Sequence, residues 1–187
     1  MTAPSVAALR DAGAEEVWLG VESGSQRILD AMEKGTKVQQ IRDATRTLET
    51  NGVRVGWFIQ LGYLGEEWED VLLTRDLIRA ERPDEIGVSV AYPLPDTGFH
   101  EKVRLHLGAK RNWTDTGDLD MLFHGTYTAA FYRLLRNALV DHYRRGGRDA
   151  RRHDRLIAEQ PPADDGPWRA AEAREAVGAA VAGLPSD

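Results

Sequence analysis

Three short stretches carry residue types able to do chemistry, and each directly follows an apolar run. Glu22-Ser23-Gly24-Ser25 follows Val17-Trp18-Leu19-Gly20-Val21. A carboxylate there can accept hydrogen bonds from paired ribose hydroxyls, and serine hydroxyls backed by a helix N-terminus can bind an anionic group. Helix capping explains Ser23 and Ser25 but not a carboxylate at the end of an apolar strand, so Glu22 carries the functional reading. The second stretch is Gly62-Tyr63-Leu64-Gly65-Glu66, after the apolar run Val53 to Leu61. Glycines such as Gly62 and Gly65 let backbone amides approach a flat ligand such as a purine; the competing reading is a tight turn with Glu66 capping the next helix. The third is Tyr92-Pro93-Leu94-Pro95. Its prolines fix a wall at low entropic cost and Tyr92 is free to stack on a ligand, or the segment is a rigid connector.

Other chemistry is absent or weakly signalled. The chain has no cysteine, which excludes disulfides, thiolate nucleophiles and thiolate metal sites. His100, His106, His124, His142 and His153 show no ligand spacing, so no metal ligand is assigned. The carboxylates from Glu66 to Asp70 suit the first turn of a helix, where the macrodipole favours them, better than a metal cage. The arginines from Arg144 to Arg155 read as a solvated helix end. A net charge of -6 gives no basic field to draw in nucleic acid or an anionic membrane. No apolar run approaches the ~18 residues of a transmembrane helix. The residues after Met1 lack the pattern of a signal peptide, and the default compartment is the cytosol.

The elements that must position these stretches alternate. The runs at Val17–Val21, Val53–Leu61 and Ile86–Tyr92 lack polar alternation, which predicts strands covered on both faces. Helices separate them. One opens at Ser23 with Gln26 as a capping box and closes at Lys34-Gly35, where Gly35 supplies positive φ. The next opens at Thr36 with Gln39 as a second box, carries Val38, Ile41, Ala44 and Leu48, and ends at Asn51-Gly52. A third carries Val71, Leu72 and Ile78 and is stopped by Pro83. Strand–helix alternation implies right-handed parallel crossovers. The fold class is therefore α/β, a partial parallel (βα) barrel: about three strand–helix units, a half of a TIM-barrel-like closure that needs eight strands. Residues 1–107 form that partial barrel, 108–147 a helical extension, and 148–187 a basic linker and alanine- and proline-rich tail. A short helix covers Phe99 to Leu107; in the extension Trp113 and Phe123 anchor a turn-rich stretch, and Phe131, Leu134, Leu135, Ala138 and Leu139 line a helix over Thr126 to Arg145.

Together and in this order, the three loops resemble the second half of the radical S-adenosylmethionine (radical SAM) core domain, in the branch with a cobalamin-binding domain in front. The matching residues are Ala12-Gly13-Ala14, Gly20 to Ser25, Lys34-Gly35, Gly62 to Glu66 and Tyr92 to Thr97, with Asn112-Trp113 and Asp118-Leu119-Asp120 in the extension. Leu64 stands where that family usually has proline and Asp96 where it usually has glycine; aspartate tolerates left-handed backbone better than most residues. The resemblance implies a six-strand partial barrel whose last three strands are these. It also implies S-adenosylmethionine as ligand: Glu22 and Ser23 at its ribose or amino-acid end, the backbone from Ile59 to Gly62 and the loop to Glu66 along the adenine, and Tyr92, Pro93 and Leu94 as the far wall.

The family's four-iron four-sulfur cluster needs three clustered cysteines, and this chain has none. The resemblance therefore implies the C-terminal portion of a radical SAM enzyme, inactive alone, whose cysteine-bearing N-terminal half is separate or missing. Cobalamin is a further cofactor of the implied branch. Two alternatives stand beside this. A non-catalytic nucleotide-binding or protein-interaction module would use the exposed strand edges of a half barrel. An unrelated enzyme would use Glu22 and Glu66 as an acid–base pair.

Overall fold

The structure is a computed structural model that describes residues 1–107 and 122–145 together with Glu175, Val177 and Gly178. Its elements run α1 (Ala3–Asp11), β1 (Glu16–Glu22), α2 (Gln26–Ala31), α3 (Val38–Thr50), β2 (Arg54–Leu61), α4 (Trp68–Glu81), β3 (Glu85–Val90), α5 (Gly98–Val103), a 3-10 turn (Arg104–His106) and α6 (Ala129–Arg145). The strands make one open sheet in the order β1-β2-β3. β1 and β2 are parallel in a register that pairs Glu16 with Arg54 and Gly20 with Phe58. The bonds from Asp84 N to Val55 O and from Ala91 N to Leu61 O advance together along both chains, which makes β3 parallel to β2 as well. Strand–helix alternation in a partial parallel barrel is thus the observed architecture.

The chain divides into two compact units, one of Met1–Ile59 and Trp68–Gly87, the other of Gln60–Glu67 and Val88–Asp187. In the first, Val55, Trp57 and Ile59 alternate inward along β2 and are fully buried. Trp57 Nε1 donates to Thr45 Oγ1 on α3 at 3.2 Å, so the largest buried side chain keeps its one polar atom satisfied. On α3, Ile41, Ala44, Thr45 and Leu48 form the buried stripe expected at helical spacing. Arg42 and Arg46 flank the buried carboxylate of Glu81 at 2.8 and 3.4 Å and tie α3 to α4.

The expectation of strands covered on both faces fails on β1 and β2. Trp18 is 36% exposed and Phe58 50% exposed. Their rings meet at 4.6 Å between centroids. Glycines make room for them: a Cβ on Gly56 would lie 2.4 Å from the Trp18 ring, and one on Gly87 3.2 Å from Phe58. Large and small residues alternate across the strands as they do inside small barrels, but here this face remains open. The apolar run misled because an open barrel's inner face is as apolar as its outer one.

Both capping boxes also differ from expectation. The residue before α2 is Ser25, whose side chain makes no capping bond, and Gln26 instead reaches Thr36 O and Val38 N. Lys37 precedes α3, and its amide donates to Gln40 Oε1 at 2.8 Å, one residue later than Thr36 with Gln39. Gly35 takes φ 68° as expected, and Arg82, just before Pro83, ends α4 with φ 48°.

In the second unit the helix expected over Phe99–Leu107 is shorter, because α5 gives way to the 3-10 turn at Arg104. Phe123 is buried and pairs with Leu107 in an isolated bridge, an anchor as expected. The α6 stripe is Phe131, Tyr132, Leu135, Ala138 and Leu139: Tyr132 is fully buried, and Leu134 is only half-buried. Trp113, Asn112, Asp118-Leu119-Asp120, the linker and nearly all of the tail lie outside the described residues.

Candidate functional site

The β1 end is built around a backbone irregularity. The ladder with β2 pairs Gly20 with Phe58 and then Glu22 with Ile59, so one extra residue is inserted at Val21. Bulges of this kind re-aim a side chain and concentrate beside binding sites. Glu22 itself has φ 61°, and Ser23 N donates to Val21 O at 2.7 Å across it. This is a three-residue γ-turn of the rare hand, a conformation costing of order 1–3 kcal/mol for a residue with a Cβ. The turn leaves the Glu22 carboxylate one-fifth exposed, with Lys34 Nζ donating to Oε1 at 2.8 Å. Gly20 lies beneath, and a Cβ there would come within 3.1 Å of both charged groups. A carboxylate and an ammonium thus sit side by side at the strand end, suited to hydroxyl and carboxylate groups of a ligand respectively.

Ser23, Gly24 and Ser25 face inward. Ser23 Oγ accepts from Ser25 N at 3.1 Å and shares a 3.2 Å hydrogen bond with Thr74 Oγ1. Gly24 N donates to Thr74 Oγ1 at 2.9 Å, and Ser25 Oγ donates to Asp70 Oδ1 at 2.6 Å. Arg27 closes on the other Asp70 oxygen. Both serine hydroxyls are buried and bonded within the protein.

At the β2 end, in the second unit, Gly62 and Gly65 take φ 78° and 80°. Glu66 is fully buried, and its Oε2 accepts from Gly62 N at 2.7 Å while its own amide bonds Tyr63 O. The carboxylate therefore closes its own turn. Tyr63 stacks on Phe99 at 4.5 Å. Ile59, the last β2 residue within the first unit, buries its side chain fully and pairs with Glu22 in the ladder. At the β3 end Pro93 is buried while Tyr92 and Leu94 point outward, 42% and 47% exposed. Asp96 adopts φ 64°, the left-handed backbone expected of an aspartate in a glycine position. Thr97 then caps α5 by accepting from His100 N at 3.2 Å.

Sequence reasoning missed Lys34, Thr74 and Asp70. Lys34 read as a helix end and as part of the matching Lys34-Gly35 pair, with no role beside Glu22. Asp70 read as a first-turn carboxylate and Thr74 was given no role, although both fall in register with Val71, Leu77 and Ile78 on the buried stripe of α4. Polar residues within a buried stripe are the signal that could have found them. Among the described residues, no group of three His, Cys, Asp or Glu side chains could hold a metal ion, and no helix is long and apolar enough to cross a membrane.

No protein-family model matches the chain. A candidate methylthiotransferase of Methanocaldococcus jannaschii is 40% identical over 81 residues, which are 43% of this chain and 18% of that protein. An uncharacterised methyltransferase of Pyrococcus horikoshii is 32% identical over 143 residues, 74% of this chain and 31% of that protein. The chain thus spans under a third of the length of these curated relatives, whose descriptions, naming transferases of methyl or methylthio groups, are consistent with a radical SAM-related family.

Proposed function

We propose that this chain is the C-terminal portion of a radical SAM-type enzyme and contributes part of the S-adenosylmethionine site. The observation that carries the reading is Glu22: a carboxylate kept in a strained turn, beside an ammonium, at the C-terminal end of a parallel strand. Strain of this kind persists where surrounding structure over-determines it, and it concentrates at functional sites. The donor set fits the ligand in parts. In the first unit Glu22 accepts from ribose hydroxyls and Lys34 donates to a carboxylate; the second unit, taken by itself, carries the Gly62 turn and the exposed Tyr92 and Leu94, the kind of surface that borders a purine. When bound, S-adenosylmethionine supplies a carbon activated by sulfonium.

The residues do not fit the family's iron–sulfur cluster, because the chain has no thiolate to hold it. The cluster's ligands then lie outside these 187 residues, which cannot by themselves support reductive cleavage. Nothing in the described residues bears on cobalamin, which stays a cofactor of the implied branch only.

Calorimetric titration of the full chain with S-adenosylhomocysteine tests the reading, since this ligand keeps the nucleoside and amino-acid ends and requires no cluster. Binding is expected, and Glu22→Gln should weaken it about tenfold, the loss of one or two charge-assisted hydrogen bonds. Failure of the unsubstituted chain to bind would sink the proposal.

The open face bearing Trp18 and Phe58 favours a second reading, a protein-interaction module built on the same fold. Concentration-dependent association in sedimentation, lost in Phe58→Ser, together with no nucleoside affinity, would select it.

A further inference from the structure

We infer that Thr74 and Asp70, one turn apart on α4, are positioning residues that set the Glu22 turn for its ligand; this rests on the reading of Glu22 as a ligand contact. Three consecutive residues after Glu22 are each anchored to this pair. Thr74 Oγ1 donates to Asp70 O at 2.9 Å and accepts from Gly24 N at 2.9 Å, which leaves Ser23 as donor in the third bond to it. Asp70 Oδ1 receives the Ser25 hydroxyl. All four side chains are at least nine-tenths buried. Gly24 is pressed so close to α4 that a Cβ would lie 2.5 Å from Leu73 O and 2.6 Å from Thr74 Cα.

The γ-turn at Glu22 ends where these bonds begin. Its only bond of its own spans Val21 to Ser23, and such a turn is unfavourable in isolation. Fixing Ser23, Gly24 and Ser25 removes the extended alternatives that Glu22 would otherwise adopt. The residue that presents the carboxylate is thereby controlled by a helix about fifty positions along the chain. Thr74 and Asp70 reach the ligand through the loop and do not touch it.

The test compares Thr74→Val and Thr74→Ser in the full chain, with Thr45→Val as a control that removes another buried, hydrogen-bonded threonine from the same unit. Affinity for S-adenosylhomocysteine, thermal midpoint and amide exchange at Gly24 and Ser25 are read for each. Thr74→Val is expected to weaken binding about tenfold and to speed exchange at Gly24, since two hydrogen bonds to the loop are lost. Thr74→Ser should restore both, and Thr45→Val should lower the midpoint while keeping the affinity. Should Thr74→Val not fold, Asp70→Asn reads the same brace through Ser25, with the same expectations. Unchanged affinity in the Thr74 or Asp70 variant, or an equal loss in Thr45→Val, overturns the inference. An unsubstituted chain that binds no S-adenosylhomocysteine removes the reading of Glu22 and the positioning role with it, and is told apart because every variant is then equally silent.

Discussion

The loops after β1 and β2 do the same task by opposite means. After β2, the turn is closed by its own member: Glu66, four residues on, accepts from the Gly62 amide, and two left-handed glycines supply the bends. After β1, the strained residue is a glutamate, and the bonds that hold the following residues come from Thr74 and Asp70, 45 to 51 positions away. In the β2 loop the bends come from glycine, and one closing bond comes from a carboxylate of the loop itself. The β1 loop instead sets a glutamate in left-handed backbone, followed by residues bonded to α4, and so presents a side chain where glycine would present none.

The sharpest way to break the comparison is Gly24→Ala. The added methyl meets helix backbone, which cannot rotate away as a side chain would. A destabilisation of about 3 kcal/mol is expected in urea unfolding, at the upper end for overpacking. Amide exchange should accelerate both in Ser23 to Ser25 and around Leu73, because loop and helix must part. Acceleration in the loop alone would mean that α4 is not the brace.

Glu66→Ala attacks the other loop and should cost somewhat less. The Gly62 amide loses its acceptor in a buried setting, about 1–3 kcal/mol, and a small cavity adds to that. The expected total is about 2 kcal/mol, with faster exchange confined to residues 61–67. Spread of the effect into Ser23 to Ser25 would show that the two loops are not independently held.

The same contrast explains what the sequence made legible. Strand–helix alternation, the glycine-bearing β2 turn and the stop at Pro83 were readable because their causes are local: runs, positive φ and a missing amide. The left-handed Asp96 was readable only through the resemblance, which sets it at a glycine position. The brace on the β1 loop was not, since Asp70 looks like an ordinary first-turn carboxylate until Ser25 lies against it. The capping boxes misled in a related way. Ser23 and Gln26 have the right spacing, yet tertiary partners claim both: Thr74 takes the hydroxyl and the start of α3 takes the amide. The open face of β1 and β2 was hidden because an apolar residue does not declare which other layer, if any, covers it. The likeness of Lys34 to a plain helix end concealed its place beside Glu22, which only the path of the chain after α2 brings about.

That path offers the smallest and most specific check on how the β1 loop is held at its exit. Gln26 follows Ser25 directly and joins Asp30 and Lys37 in a network on the surface: Gln26 Nε2 donates to Asp30 Oδ1 at 2.8 Å and Lys37 Nζ to the same oxygen at 3.0 Å. The Lys37 bond first, then that from Gln26, holds the Asp30 carboxyl below its ordinary value of 3.8. A carboxylate whose pKa is depressed on folding stabilises the fold fully above its unfolded value, and that contribution is lost as pH falls through the folded one. Thermal midpoints measured downward from pH 5 should therefore fall less steeply for Asp30→Asn than for the unsubstituted chain, and the two should converge at the acid end. The difference will be slight, because Asp30 and Lys37 are well exposed and salt screens the pair. Parallel profiles would mean that the network does not persist in solution, and that the exit of the β1 loop depends on Gln26 reaching the α3 backbone alone.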